Sequence, residues 1–267
     1  LARAARASQV RTIFVCHNVL PHEPRPWDRP LVRYALGRAD AVVVHAERQA
    51  QAATDLLGSA NVSVYPLPTY APLLSQEPTQ AEARRTLGIR ESRVLLFFGL
   101  VRPYKGLRYL LQSLSHLGNR DGLRLIVAGE FWEPLSSYQQ LARQCGVDRL
   151  ITWVPRYVAN EELATYFAAC DAVVLPYTDA TQSAVVQLAF AAQRPVITTE
   201  VGGLAEAVQD GYTGLLVPPR DDEALAAAIA RFYADELLPL MQANIQREQA
   251  RHSWEGLVRL LEGLAQG

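Results

Sequence analysis

Short apolar runs alternate with amphipathic stretches along most of the chain. The run Val94-Leu95-Leu96-Phe97-Phe98 has the length and β-rich character of a strand buried on both faces, and Gly99 ends it. A short loop follows. From Gly106 onward, Leu107, Leu110, Leu111 and Leu114 recur at helical spacing. The same unit repeats downstream, with predicted strands at 123–128, 150–154, 172–175, 196–198 and 214–217. Helices predicted at 135–145, 160–169, 184–193, 204–208 and 221–234 separate them, and one at 79–87 comes before them all. Upstream, strands at 12–16, 41–45 and 62–65 alternate with helices at 30–38 and 47–57. Two helical stretches, 237–249 and 253–265, end the chain.

Such alternation with short connections predicts parallel sheets covered on both faces. The proline-rich segment PLPTYAPLLSQEP lacks periodicity and reads as a linker between two α/β units, the first too small to be complete. The opening LARAARASQV reads as the end of a helix, and a start at Leu1 reads as a missing N-terminus.

Composition narrows the class without choosing a function. With 49% hydrophobic and 20% charged residues in 267, the chain is an ordinary globular protein of one or two domains. A net charge of −1 offers no global attraction to nucleic acid or an anionic membrane, so an anion site must be local. Cys16, Cys145 and Cys170 are odd in number, widely spaced and free of any CxxC pair, which argues for a reducing compartment without disulfide or zinc. No apolar run approaches the ~18 residues of a membrane span, and no signal peptide is evident. The expected location is cytoplasmic, compatible with peripheral contact at the inner face of a membrane.

Candidate chemistry gathers where predicted strands end. The loop between Gly99 and Gly106 carries Arg102 and Lys105 just before a helix start, a place that attracts phosphate. Arginine offers a planar fork and lysine a point charge, so a diphosphate is the expected ligand. Of 26 Lys and Arg residues, Lys105 is the only lysine; a solvated surface cation is the plain alternative. Further loops are Gly129 to Trp132, Pro155 to Val158, Pro176 to Ser183 and Glu200 to Gly203. Thr181 or Ser183 alternatively reads as a helix cap, Gly202-Gly203 as a tight turn, and Glu206 as a first-turn carboxylate favoured by the helix dipole. His17, Asn18 and His22 follow the first strand on a loop stiffened by prolines. Absence of GxGxxG, GxxxxGK[ST] and GxSxG weakens dehydrogenase, P-loop and hydrolase readings.

The segments FFGLVRPYKGL, RYVANEELATYFAACDAVVLPY, ATQSAVVQLAFAAQRPVITTEVGGLAEAVQDGYTGLLVPPRDDEALAAAI and SWEGLVRLLEGL resemble the C-terminal half of a GT-B glycosyltransferase. The resemblance is to retaining family 4, the glycosyl transferases group 1. HNVLPHE followed by RADAVVVHAE is similar to the last third of that family's N-terminal acceptor domain. The implied fold is α/β, a Rossmann-like parallel-sheet donor domain with an incomplete N-terminal α/β domain. Residues 1–72 would form the acceptor-side part and 73–250 the donor domain, with 251–267 a helix crossing back.

By this resemblance the reaction moves a sugar from a nucleotide-diphosphate sugar to an acceptor hydroxyl with retention. It would need neither metal nor cofactor. Arg102 and Lys105 would hold the diphosphate near Gly99, although Leu100 stands where the family usually has its arginine. Arg156, Tyr157 and Val158 would flank the base, and Gly202, Gly203 and Glu206 belong to the family's GG-x-x-E element. The family's paired glutamates are replaced by Ala180 and Leu188, with Thr181, Gln182 and Ser183 taking over part of the contact. Arg102 and Lys105 would stabilise the departing diphosphate, and His17 or His22 would orient the acceptor, whether carbohydrate, lipid-linked or small molecule. Two other readings stay open: a catalytically silent nucleotide-sugar module, and a sugar-nucleotide epimerase on the same scaffold. The chain alone is not expected to transfer sugar.

Overall fold

The computed structural model describes residues 10–21, 25–58, 61–74, 78–248 and 253–266. The helix end expected before residue 10 and the candidate His22 lie outside them. The chain divides into two compact units, one comprising Leu1–Pro68, Ala180–Gln182 and Ala250–Gly267, the other Thr69–Asp179 and Ser183–Gln249.

In the first unit, strands β1 (Ile13–Cys16), β2 (Ala41–Val44) and β3 (Val62–Val64) form a parallel sheet in that order. Helices α1 (Asp28–Leu36) and α2 (Glu47–Leu57) connect them. All four residues of β2, AVVV, are buried, as a central strand between two neighbours requires. Val19, Leu36, Val42, Val44, Ala53 and Leu56 make the core. The last helix of the chain, Trp254–Gln266, belongs to this unit. The Tyr65 hydroxyl donates to the Ser253 carbonyl at 2.7 Å.

The second unit holds six parallel strands: β4 (Arg93–Phe98), β5 (Leu123–Ala128), β6 (Ile151–Val154), β7 (Ala172–Leu175), β8 (Val196–Thr199) and β9 (Gly214–Val217). Their spatial order is β6-β5-β4-β7-β8-β9. From β4 the chain steps outward to β5 and β6, then returns to the other side of β4 with β7. The sheet therefore reverses direction between β4 and β7, and ligands bind past the carboxyl ends of strands at such a switch point. The helices in chain order are α3 (Gln80–Thr86), α4 (Leu107–His116), α5 (Leu135–Gln144), α6 (Asn160–Ala169), α7 (Ala184–Ala191), α8 (Gly202–Ala207), α9 (Asp222–Ala234) and α10 (Leu237–Glu248).

Periodicity explains the packing. Leu107, Leu110, Leu111 and Leu114 of α4 are all fully buried against Leu95, Phe97 and Leu125. A full capping box starts α3: the Thr79 side chain accepts from the Glu82 backbone N–H while the Glu82 carboxylate reaches back. Buried Asp171, at the start of β7, accepts from Val94 N at 2.7 Å and from the Arg84 guanidinium at 2.8 Å, pinning α3 to the two central strands. Burial and this carboxylate raise the pKa of the Tyr233 hydroxyl well above its usual range.

Three expectations change at element ends. The linker is not wholly irregular, because Ala71–Leu74 forms a 3₁₀ turn with Leu74 buried. Pro103–Lys105 is also a 3₁₀ turn, opened by proline and closed by left-handed Gly106. Helix α8 starts at Gly202, so Glu206 sits in its last turn and the N-terminal dipole does not account for it. No helix among the described residues is long and apolar enough to cross a membrane.

Candidate functional site

Three loops of the second unit meet at backbone distance past the carboxyl ends of β4, β5 and β7. Gly106 has φ 69°, and a Cβ there would fall 1.8 Å from the Pro176 carbonyl oxygen. Gly129, φ 147°, would drive a Cβ to 2.0 Å from the Gly99 carbonyl oxygen. Only glycine permits these approaches. The Thr178 backbone N–H donates to Tyr104 O at 2.7 Å, tying the loop after β7 to the 3₁₀ turn after β4.

That junction positions the two cations. The Lys105 ammonium lies 3.3 Å from where a Gly99 Cβ would stand and 5.0 Å from the centre of the buried Tyr177 ring. The Arg102 guanidinium stacks on Trp132 at 3.7 Å. Its Nε is shielded from solvent and has no hydrogen-bond partner among the described residues. An unsatisfied charged donor is costly, and an oxyanion would satisfy it. Neither cation pairs with a carboxylate among the described residues.

Beside them is a cleft of about 310 Å³. Gly99, Leu100, Gly129 and Glu130 line it from the loops after β4 and β5, and Tyr157 and Val158 from the loop after β6. Ala184 and Leu188 bring the start of α7, and Tyr70 comes from the connection ahead of α3. The mostly apolar wall with two tyrosines suits the face of a planar ring. Ser183 stands at the N-cap of α7 without a side-chain cap bond, so the capping role expected of it is not realised.

The remaining candidates fall elsewhere. Arg156 does not line this cleft; both its terminal nitrogens bind Glu162, at 2.7 and 2.6 Å, a pairing that holds the glutamate ionised. Gly202, Gly203 and Glu206 lie past β8, one strand beyond β7, outside the cleft lining. Thr181 and Gln182 group with the first unit, where the Gln182 amide donates to His45 O at 2.9 Å. His17 is there too, its ring 5.0 Å from that of His45.

Sequence reasoning missed Tyr70, the Trp132 stack under Arg102, and His45. Buried His45 donates from Nδ1 to the Tyr65 carbonyl at 2.9 Å, which fixes its tautomer. Its pKa is lowered, chiefly by burial, against the raising effect of the Tyr65 bond. His17 adds a smaller lowering.

An all-parallel sheet reversing between β4 and β7, with cations at the reversal, defines a doubly wound α/β protein, the fold expected of a GT-B donor domain. Residues 92–235 match the family Glycosyl transferases group 1, and the chain belongs to that family. It is 32% identical over 234 residues to D-inositol 3-phosphate glycosyltransferase of Geodermatophilus obscurus, covering 84% of this chain and 51% of that protein. The chain spans about half the length of the curated relatives it matches. Among solved structures, sucrose-phosphate synthase from Thermosynechococcus elongatus superposes with a TM-score of 0.80 at 25% identity, over 94% of this chain and 66% of that one. Anabaena HepE, solved in complex with UDP, gives a TM-score of 0.86 at 19% identity, over 98% of this chain and 75% of that one.

Proposed function

We propose that the second unit binds a nucleotide-diphosphate sugar and that the protein transfers its sugar to an acceptor hydroxyl with retention. The observation that carries this is the pair Lys105 and Arg102, unpaired beside an apolar cleft at the switch point. The base lies against Tyr157 and Val158, and the diphosphate reaches Gly99, Lys105 and Arg102. Breaking the sugar–phosphate bond builds negative charge on the departing diphosphate. Two fixed cations stabilise that charge more than the ground state, which is how such a site lowers a barrier. Ser183 at the start of α7 and Gly202, Gly203 and Glu206 past β8 attend the sugar end.

Calorimetric titration with UDP, GDP and ADP tests the donor part, UDP first because a protein of the same fold holds it. Micromolar to millimolar binding of one of them, with free nucleoside weaker, is expected. No binding of any nucleoside diphosphate at millimolar concentration overturns the reading. The silent-module alternative also has support, since Leu188 lines the cleft and buried Ala180 offers no acceptor either. Donor binding without release of free diphosphate, in a chain extended to the full length of its relatives and given acceptor, favours that alternative. This chain alone is expected to bind donor without transferring sugar.

The first unit adds a membrane-facing element to the proposal. Trp27, Leu31 and Tyr34 recur along α1 and its entry at helical spacing, 55%, 60% and 57% exposed. Arg25 lies over the Trp27 ring and Arg38 over the Tyr34 ring, and the helix itself carries Arg29 and Arg33. Exposed aromatic and aliphatic residues among arginines fit an anionic lipid surface. Co-sedimentation with vesicles containing phosphatidylserine, and loss of it in Leu31→Asp, is the expected result; equal binding of the variant contradicts it.

A further inference from the structure

A second groove, of about 540 Å³, shares the 3₁₀ turn Pro103–Lys105 with the donor loop. Tyr104, Arg108, Tyr109, Tyr138, Thr178 and Arg220 line it, and none of them lines the cleft. Its two arginines stand where local physics disfavours them. Arg220 has φ 63°, a left-handed conformation that glycine takes freely and arginine only at a cost. Arg108 occupies the first turn of α4, where the helix dipole opposes a cation. No carboxylate among the described residues pairs with either.

Glu133 also lines the groove, but its carboxylate accepts the Tyr138 hydroxyl. Two arginines against one glutamate leave the groove with one excess positive charge. The Arg108 guanidinium lies over the Tyr109 ring, 5.6 Å from its centre, so the cation is carried on an aromatic face within the groove. Residues kept at a local cost, with their charged ends unmatched, mark places where a sequence serves something other than its fold.

We propose that this groove is a second binding site, separate from the donor cleft, for a phosphomonoester carried on a small ring, such as a sugar phosphate. Arg108 and Arg220 grip the phosphate oxygens with their planar forks. The tyrosines that line the groove, Tyr104 and Tyr138 beside the Arg108–Tyr109 pair, give the apolar side of the ring its wall. The inference goes beyond donor binding and does not rest on it.

The test is calorimetric titration of the whole chain with glucose 6-phosphate, glucose and inorganic phosphate, with and without saturating UDP to occupy the cleft. Glucose 6-phosphate is expected to bind in both conditions. Arg108→Ala and Arg220→Gly should each weaken it roughly 10- to 150-fold, the worth of one charge-assisted hydrogen bond. UDP affinity should stay parental in both, and a loss of UDP binding by the parent would strike the donor reading alone. Glycine accepts the backbone angle at 220, so Arg220→Gly should be no less heat-stable than the parent, and a binding loss there is not a folding loss. Absence of glucose 6-phosphate binding at millimolar concentration, or parental affinity in Arg220→Gly, overturns the proposal. Inorganic phosphate binding as tightly as the sugar phosphate overturns it as a site for a ring.

Discussion

Lys105 is held over Gly99 by a turn, not by an ion pair, so its charge is available to a ligand. Replacing Lys105 or Arg102 by alanine should cost one charge-assisted hydrogen bond, about 1.5–3 kcal/mol, or roughly a 10- to 150-fold loss of UDP affinity. Uridine should bind as before, and titration of both ligands checks the split. Parental UDP affinity in Lys105→Ala would make the lysine a surface cation. His45 supports a second prediction. Its folded pKa lies below the usual 6.5, so between the two values the unfolded chain binds more protons. The stability this neutral histidine contributes is complete above about pH 6.5 and falls as the pH drops toward the folded value. Urea unfolding between about pH 7.5 and 5.5 should show a slope that His45→Gln flattens; an unchanged slope assigns the effect elsewhere. The place of Arg102 and Lys105 between a strand and a helix was legible because the apolar run, the glycines and the leucine pattern frame them within Val94–Leu111. Tyr70 and His45 were not, since one lies in an aperiodic proline-rich stretch and the other closes an unremarkable apolar run.

At the scale of elements, order and type followed from periodicity, because central strands such as β2, β4, β5, β7 and β8, four to six residues long and mostly buried, and a helix with a leucine stripe leave little ambiguity. The turns resisted that reading. Pro103–Lys105 closes on Gly106, whose need for a left-handed angle is visible only when Pro176 lies against it. Gly202-Gly203 reads as a turn in sequence yet opens α8, which shifted Glu206 from first turn to last. Gly106→Ala joins a strained angle to a collision 1.8 Å from the Pro176 carbonyl. A loss of about 1–3 kcal/mol, the usual range for overpacking, is expected in denaturant unfolding, with weaker UDP binding because the turn that carries Lys105 must shift. A fully stable Gly106→Ala with parental UDP affinity would show that the junction does not hold the site.

For the whole molecule, donor binding should appear as stability. Ligand that binds only the folded state at a hundred times its Kd adds about 2.7 kcal/mol, so scanning calorimetry should show a higher Tm with UDP and little rise in Lys105→Ala. No rise in the parent, at a concentration where titration shows saturation, would place UDP on something other than the native fold. The glycine-to-carbonyl junction under the cleft carries a different consequence. It is made of backbone, and it contains no information about which base or sugar is bound. On the proposed reading a base would instead meet side chains, Tyr157 and Val158 from one stretch of chain and Tyr70 from another. If so, donor preference could be rewritten by exchange at those positions, one at a time, while the backbone junction that carries Lys105 is inherited intact. A lineage built on this junction is free to change its currency without rebuilding its purse.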